Sequence, residues 1–247
     1  MKEHLNVQED PEVGQETLEI FSHTGNFNRW MFENLSPYCK SNILEIGSGI
    51  GNISALLLEK FERVSLSDIR ADYCQMLGKR FYGAENLNEI YELDMGEADL
   101  EKGFPGLLGK FDSILTSNVV EHIKDDSLAI RNCHKLLRPG GRLIVLVPAH
   151  DFLYNSFDKM LGHYRRYTRE NLSALLQKEG FRLVHTRYFN AIGMAGWWFS
   201  GVVLGKKKLP GGQLALYNKL VPLIRLGDIL TMQRVGLSII AVGEKNK

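Results

Sequence analysis

Residues 43–54 constrain the fold of this chain more than any other stretch of the sequence. Alternating apolar residues lead into Gly47, Gly49 and Gly51, and an apolar pattern of helical spacing, Ile53-x-x-Leu56-Leu57-Leu58, follows. This order predicts a buried strand, a tight turn and a helix. Glycines suit the turn because they accept positive φ and let a ligand lie against the backbone. Unpaired N–H groups at the start of the helix attract an anionic group.

The length and composition are those of a globular protein with one large domain or a domain with an appendage. The chain has 247 residues, of which 44% are hydrophobic, so it can fill a sizeable core. A formal net charge of +1 produces no field that would favour nucleic acid. Cys39, Cys74 and Cys133 have no metal-ligand spacing and are expected to be thiols in a reducing compartment. No apolar signal region or membrane-spanning run is visible, so the default expectation is a cytoplasmic protein.

Strand and helix patterns alternate along the rest of the chain. Further strands are predicted at 63–67, 88–93, 111–117, 142–148, 181–189 and 235–243. With the first strand they predict an α/β fold built on a doubly wound sheet of seven strands. In such folds ligands bind at the carboxyl ends of the parallel strands.

Asp68 ends the second predicted strand, about 20 residues beyond the glycine run. Nucleotide-binding α/β sites place a carboxylate here because it accepts strong hydrogen bonds from both ribose hydroxyls. An N-cap for the following helix is the alternative, and both roles are compatible. The spacing Gly-x-Gly-x-Gly, with Asn52 where a dinucleotide fingerprint has its third glycine, argues against a nicotinamide cofactor.

With Glu45 in front, the glycine run resembles motif I of the class I S-adenosylmethionine (SAM)-dependent methyltransferases. Residues 136–143, Leu-Leu-Arg-Pro-Gly-Gly-Arg-Leu, resemble the L-L-x-P-G-G-x-L segment of the same family. The resemblance covers residues 43–149 with matching motifs. It implies a Rossmann-like fold whose seventh strand runs antiparallel beside the sixth. It also implies SAM as the cofactor and an SN2 displacement at the sulfonium methyl, for which the protein mainly aligns the reacting atoms.

The resemblance further assigns residues to the cofactor. Glu45 is expected to orient the glycine loop and the methionine amine. Asp94 would accept from the adenine amino group and the Met95 N–H would donate to a ring nitrogen, unless Asp94 is merely a solvated loop acid. Asn118 and Val119 would lie under the methionine part. The residues expected to bind SAM are Glu45, Gly47, Ser48, Gly49, Gly51, Asn52, Asp68, Ile69, Asp94, Met95, Asn118 and Val119.

A long connection after the fifth strand, residues 150–169, is rich in reactive side chains, as functional loops often are. Paired arginines flanked by tyrosines suit a carboxylate or phosphate. The alternative is a solvated loop in which the arginines pair with Asp151 and Asp158. The candidate substrate-binding residues are Tyr154, Tyr164, Arg165 and Arg166.

Three histidines are candidate catalytic bases: His122, His150 and His163. A base is needed only if the acceptor must lose a proton near the transition state. His122 has the alternative role of packing and capping the next helix. No group of residues in the sequence has metal-ligand spacing, so no metal is expected.

The chain is expected to divide into an N-terminal helical cap (1–35), a SAM-binding core (36–190), an apolar helical insertion (191–234) and a last strand (235–247). Phe27 and Trp30 lie at helical spacing in the cap and either pack in the core or cover the cofactor. The insertion is expected to be a lid, a homodimer contact or, through residues 197–232, a peripheral membrane contact. In the last case Lys206, Lys207 and Lys208 would meet the headgroups.

The sequence therefore predicts a SAM-dependent methyltransferase for a small-molecule or lipid-like acceptor, with no nucleic-acid partner. The acceptor atom is left open, since the Asn-Pro-Pro-aromatic signature of amino-group methylation on bases and glutamine is absent. Two other classes also stay open. One is an NAD(P)-dependent oxidoreductase, and the other is a non-catalytic membrane-surface or partner-binding protein with a methyltransferase fold.

Overall fold

The computed structural model describes residues 11–203 and 211–246, and within them the strands form one seven-stranded sheet. The strands are β1 (Asn42–Ile46), β2 (Arg63–Asp68), β3 (Leu87–Glu92), β4 (Phe111–Ser117), β5 (Leu137–Pro148), β6 (Phe181–Phe189) and β7 (Ser238–Lys245). Their order is β3-β2-β1-β4-β5-β7-β6. Only β7 is antiparallel to its neighbours, β5 and β6. The predicted α/β fold is confirmed.

Helices cover both faces of this sheet. The described helices are α1 (Pro11–Ser22), α2 (Gly25–Leu35), α3 (Asn52–Lys60), α4 (Ala71–Arg80), α5 (Leu100–Gly103), α6 (Asp126–Leu136), α7 (Ser156–Met160), α8 (Arg169–Lys178), α9 (Ala191–Trp197) and α10 (Gly211–Leu230). Buried side chains of α5, α6 and α8 belong to one apolar cluster, and those of α2, α3, α4 and α10 belong to another.

The central strand β5 shows why two apolar clusters form. Leu143 and Val145 belong to the first cluster, whereas Ile144 and Leu146 belong to the second. Successive side chains of a strand point to opposite faces, so a near-continuous apolar run is buried on both sides. The sheet edge that receives the carboxyl ends of the parallel strands is thereby held between two layers of helices.

The bounds of β4 and β6 agree with the predicted strands, whereas two other bounds are corrected. β5 begins at Leu137, before the Pro-Gly-Gly turn, because Leu137 pairs with Phe111 across a shift in register. The last strand begins at Ser238 and not at Val235, since its pairing with β5 starts opposite Pro148. Before that point the chain turns through positive φ at Met232 and Gln233.

Several expectations concern the termini and the insertion. None of the helices within residues 11–203 and 211–246 combines the length and apolarity needed to cross a membrane. Lys206, Lys207 and Lys208 lie outside the described residues, as do residues 1–10. The division of the chain at residues 35, 190 and 234 stays a prediction.

Candidate functional site

A large cavity lies at the carboxyl edge of the parallel strands. Its volume is about 1320 Å³, and its wall includes residues that end or follow β1, β2, β3, β4 and β5. Glu45, Asp68 and Asp94 all line it, and these three acids are called the carboxylate wall. Parallel strands bring their carboxyl ends to one edge, which is why acids far apart in sequence share this space.

The glycine loop after β1 has a backbone conformation and close contacts that leave no room for larger residues at its glycine positions. Gly47, Gly49 and Gly51 have φ of +72°, +53° and +88°, a region that L-residues rarely adopt. A Cβ at Gly47 would lie 2.3 Å from Val119 Cγ2, and one at Gly49 would lie 2.9 Å from Leu18 Cδ1. The loop is therefore held closely between the end of β4 and α1.

Asp68 connects the glycine loop to the end of β2. One carboxylate oxygen accepts a hydrogen bond from the Gly49 N–H at 2.8 Å, and the other accepts from the Arg70 N–H at 3.0 Å. Burial raises the pKa of Asp68 above its ordinary value, although these bonds act in the opposite direction. The N-cap position of α4 belongs to Arg70. Asp68 thus supports the turn before that helix and still faces the cavity.

Glu45 is only 4% exposed, and the Ser54 hydroxyl donates a hydrogen bond to its carboxylate. Burial raises the pKa of Glu45 from 4.5 to about 7, with a smaller contribution from the nearby charge of Asp68. A carboxyl with this pKa changes its charge near neutral pH, and a cation brought into the cavity would favour the ionised form.

Most of the other residues predicted to bind SAM also line the cavity. They are Gly47, Ser48, Gly49, Asn52, Ile69, Met95, Asn118 and Val119. Asp94 accepts from the Gly96 N–H at 2.7 Å, which orders the loop after β3. Asn118 has a φ of +54° at the end of β4. Gly51 is the exception, because it does not line the cavity and instead takes the N-cap position of α3 beside Phe81.

Another part of the same wall is formed by His122, Leu161, His163, Arg166 and Trp197, and it is called the histidine wall. His122 follows β4, while His163 and Arg166 belong to the connection after β5. Because β4 and β5 are neighbours in the sheet, these segments meet at the cavity.

The structure does not bring the other four candidate residues of this region to the cavity wall. His150 stacks on Tyr188 with ring centroids 4.8 Å apart. The Tyr154 hydroxyl donates to the His163 carbonyl at 2.7 Å. The Tyr164 N–H donates to the Glu121 carbonyl at 2.8 Å. Arg165 lies in a separate pocket of about 480 Å³ and pairs with Asp126 at 2.8 Å.

His163 and Arg166 share a buried acid. Asp158 Oδ1 lies 2.9 Å from His163 Nδ1 and accepts from Arg166 Nε at 2.8 Å, and the Asp158 side chain is 0% exposed. Burial alone would raise the pKa of Asp158, but the bonds from His163 and Arg166 hold it below its ordinary value. The carboxylate thus favours a proton on His163 Nδ1, which leaves Nε2 as the basic nitrogen. The alternative pairing predicted from sequence is right for Arg166 and wrong for Arg165.

His122 packs edge-on against His163, with ring centroids 4.6 Å apart. Burial lowers the pKa of His122 to about 3, and the neighbouring His163 ring acts in the same direction whenever it is protonated. Ligand atoms of Glu121, His122 and His163 lie within 4.8 Å of one another, a set that could hold a metal ion. The expectation that the chain binds no metal stays a prediction, although the fold assembles a group that sequence spacing does not reveal.

The N-terminal helices close the cavity from the side of the glycine loop. Phe27 of α2 lines the cavity, whereas Trp30 is 4% exposed and packs against Phe189 at a centroid distance of 4.4 Å. Of the two roles predicted for this pair, Phe27 has the position expected for covering the cofactor, and Trp30 packs in the core. Leu18 and Phe21 of α1 also line the cavity and were not predicted. Their spacing of three residues on one helical face is the signal that would have indicated them.

Comparison with known families agrees with this architecture. The sequence model of a family described as "methyltransferase domain" matches residues 19–186, more than half of the chain. Among curated proteins, the chain is 26% identical over 166 residues to the lovastatin diketide synthase lovF of Aspergillus terreus. That match covers 62% of this chain but only 6% of the synthase.

Solved structures with the same fold include two methyltransferases. Phosphoethanolamine N-methyltransferase 2 of Haemonchus contortus, in complex with S-adenosyl-L-methionine, aligns with a TM-score of 0.59 at 18% identity, covering 92% of this chain and 57% of that one. The 1,6-didemethyltoxoflavin-N1-methyltransferase of Burkholderia thailandensis aligns with a TM-score of 0.56 at 19% identity, covering 89% of this chain and 78% of that one. At such identities the likeness shows the fold.

Proposed function

This chain belongs to the class I SAM-dependent methyltransferases, and from that premise we propose that it methylates a small-molecule or lipid-like acceptor bound at the histidine wall. One observation carries the proposal: the carboxylate wall and the histidine wall line the same cavity. A methyl donor at the first wall and an acceptor at the second would share one enclosed space, which is what a direct transfer requires.

The carboxylate wall would hold SAM. Asp68 would accept from the ribose hydroxyls with the lone pairs that its bonds to Gly49 and Arg70 leave available. Asp94 and the Met95 N–H would bind the adenine edge. Glu45 would favour the methionine ammonium group by its charge, and the small Gly47 would let the methionine part approach the backbone.

The remaining residues proposed for SAM complete this pocket. Ile69 and Val119 would pack on apolar parts of the ligand, and Ser48 would add a polar contact. Asn52 donates to the Leu18 carbonyl at 3.2 Å, so it ties the glycine loop to α1. Asn118 would lie beneath the methionine part. When bound, SAM supplies an activated methyl on a sulfonium, so the chain itself need not activate the donor.

The histidine wall would bind the acceptor and remove its proton. His163 is the candidate base best supported, because it faces the cavity and its Nδ1 is held by Asp158, leaving Nε2 for the acceptor. His122 is held neutral by burial and would help to exclude water beside it. Arg166 is paired with Asp158, so its first role would be to keep that carboxylate charged. His150 would have no direct part, since it lies outside the cavity wall.

The proposal is tested by incubating the full chain with SAM labelled in the methyl group and with extracts of metabolites or lipids. The expected result is label transfer to a discrete compound, together with saturable binding of SAM and S-adenosylhomocysteine by calorimetry. Absence of SAM binding would refute the proposal. Binding of NADH in place of SAM would instead favour the oxidoreductase, and SAM binding with no transfer to any compound in either extract would favour a non-catalytic role.

The affinity for SAM is expected to rise between about pH 6 and pH 8 because Glu45 must ionise. Its pKa of about 7 in the protein means that the carboxylate fraction grows about tenfold across this interval. The ionised form attracts the cationic ligand, so binding strengthens as pH rises through the pKa. Calorimetric titrations of SAM at several pH values measure the effect.

Glu45→Gln is the matched comparison for this pH dependence. The ammonium group of SAM itself loses its proton near pH 8, and this ligand titration is common to both proteins. The difference between wild type and Glu45→Gln therefore reports Glu45. Equal pH profiles in the two proteins would contradict the proposed contact.

A further inference from the structure

One face of α10 is apolar and exposed. The exposed fractions of its large side chains range from 41% to 81%. These residues define the α10 face, and they are Leu216, Leu220, Leu223, Leu226, Ile229 and Leu230. Their spacing of three and four residues places them along one side of the helix. The opposite side is packed, since Val221 and Ile224 are 1% and 6% exposed in the core.

The segment after β6 extends this surface. Ile192 is 46% exposed, and a Cβ at Gly227 of α10 would lie 2.7 Å from its Cγ1, so α9 abuts the α10 face. Trp198 and Phe199, in the π-helical turn directly after α9, are 46% and 52% exposed. Contiguous exposed apolar residues of this number mark a site of contact with another molecule or a membrane.

The charges around this surface are mostly positive. Residues 189–227 contain five basic residues and no acidic residue, whereas the whole chain is nearly balanced, with 30 basic and 29 acidic residues. On α10 and the turn after it, the charged residues that the structure shows exposed are Lys219 and Arg234. Asp228 is 6% exposed and accepts from the N–H groups of Asn190 and Ala191. Arg225 of α10 pairs with Glu33 of α2 at 2.8 Å, whereas Lys219 and Arg234 are exposed. An apolar face with such an excess of cations is complementary to an anionic lipid surface.

Hydrogen bonds connect α10 to residues that line the cavity. Asn190 and Trp197 line the cavity, and the Tyr217 hydroxyl of α10 donates to Asn190 Oδ1. The Asn218 side chain accepts from the Phe27 N–H at 3.0 Å, which ties α10 to the helix that closes the cavity. Two hydrogen bonds thus connect α10 directly to residues of the cavity wall.

We propose that the α10 face docks on an anionic membrane surface and that the acceptor is a lipid or a lipid-borne molecule presented from that bilayer. The inference rests on the proposed function for the methyl transfer, but the docking step stands separately. A second copy of this chain is the competing occupant. Two copies would bring Lys219 and Arg234 of both faces together as like charges, whereas an anionic bilayer neutralises them.

The test is co-sedimentation of the full chain with vesicles of phosphatidylcholine alone and of phosphatidylcholine with about 30% phosphatidylglycerol. We expect binding to the anionic vesicles, weaker binding at high salt, and a loss of more than tenfold in the variant Leu223→Glu/Ile229→Glu. These side chains are 63% and 68% exposed, so the variant should fold. The matched control is Tyr82→Glu/Leu108→Glu, at positions 93% and 44% exposed, which should bind like wild type.

The outcomes separate the two proposals. Intact SAM binding without vesicle binding overturns the docking inference alone, whereas absent SAM binding refutes the proposed function. A dimer in light scattering that the Leu223→Glu/Ile229→Glu change dissociates, with no vesicle binding, assigns the face to a second copy and overturns the inference. Label from SAM that is recovered in the lipid extract of anionic vesicles, and lost in this variant, supports the lipid-borne acceptor.

Discussion

Replacing Asp68 with asparagine is expected to weaken SAM binding by about 100-fold. Each charge-assisted hydrogen bond to a ligand hydroxyl contributes about 1.5 kcal/mol or more, and two such bonds correspond to about 3 kcal/mol. The amide has one acceptor oxygen in place of two. It must also serve the Gly49 and Arg70 N–H groups, which now bond to separate oxygens at 2.8 and 3.0 Å. Calorimetric titration with SAM measures the dissociation constant.

Asp99→Asn is the control for the loss of one negative charge. Asp99 has a side chain that is 58% exposed, pairs with Lys102 and lies outside the cavity wall. We expect its SAM affinity to stay within about twofold of wild type, as for other exposed ion pairs. Thermal unfolding of both variants separates binding from folding. Wild-type affinity in a folded Asp68→Asn protein would rule out the ribose contact.

Replacing His163 with alanine is expected to slow methyl transfer by about 10²- to 10⁴-fold with little change in SAM affinity, the range for loss of a positioned general base. The physical reason is the Asp158 carboxylate, 2.9 Å from His163 Nδ1, which fixes one nitrogen of a ring that lines the cavity and leaves the other nitrogen for the acceptor. Initial rates with labelled SAM, and with the acceptor that the extract experiment identifies, measure the change.

His150→Ala distinguishes the candidate bases. His150 stacks on Tyr188 outside the cavity wall, so its removal should leave the rate within about twofold. Added imidazole should restore part of the activity of His163→Ala, which a purely structural role would not allow. Full activity in His163→Ala would refute its role as the base. Activity that is lost on chelation and restored by zinc would instead assign a metal to Glu121, His122 and His163.

Residues at strand ends could be predicted because their positions depend only on the neighbouring sequence. Asp68 and Asp94 directly follow apolar strand patterns, and parallel strands in an α/β sheet carry such positions to one edge. The glycine loop was also predictable, since positive φ at three alternating positions is a property of the backbone that glycine alone accepts freely. For these residues other than Gly51, the sequence pattern and the observed cavity wall agree.

Residues in the long connection after β5 were harder to assign. His150, His163, Arg165 and Arg166 have similar chemistry and belong to the same connection. Only two of them reach the cavity, and the choice depends on Asp158, which binds His163 and Arg166 from the buried start of α7. No periodicity in a loop indicates which side chain a neighbouring helix will pair with.

The sequence by itself determined the α/β sheet, the glycine turn and the acids at the strand ends, because each depends on local conformational preference and apolar periodicity. Tertiary packing alone decided that Glu45 would be buried enough to titrate near neutral pH and that His163 would be paired with Asp158. It also left one side of α10 uncovered while Val221 and Ile224 on the other side were buried. Burial and pairing depend on segments far apart in the chain, and only their packing together establishes them.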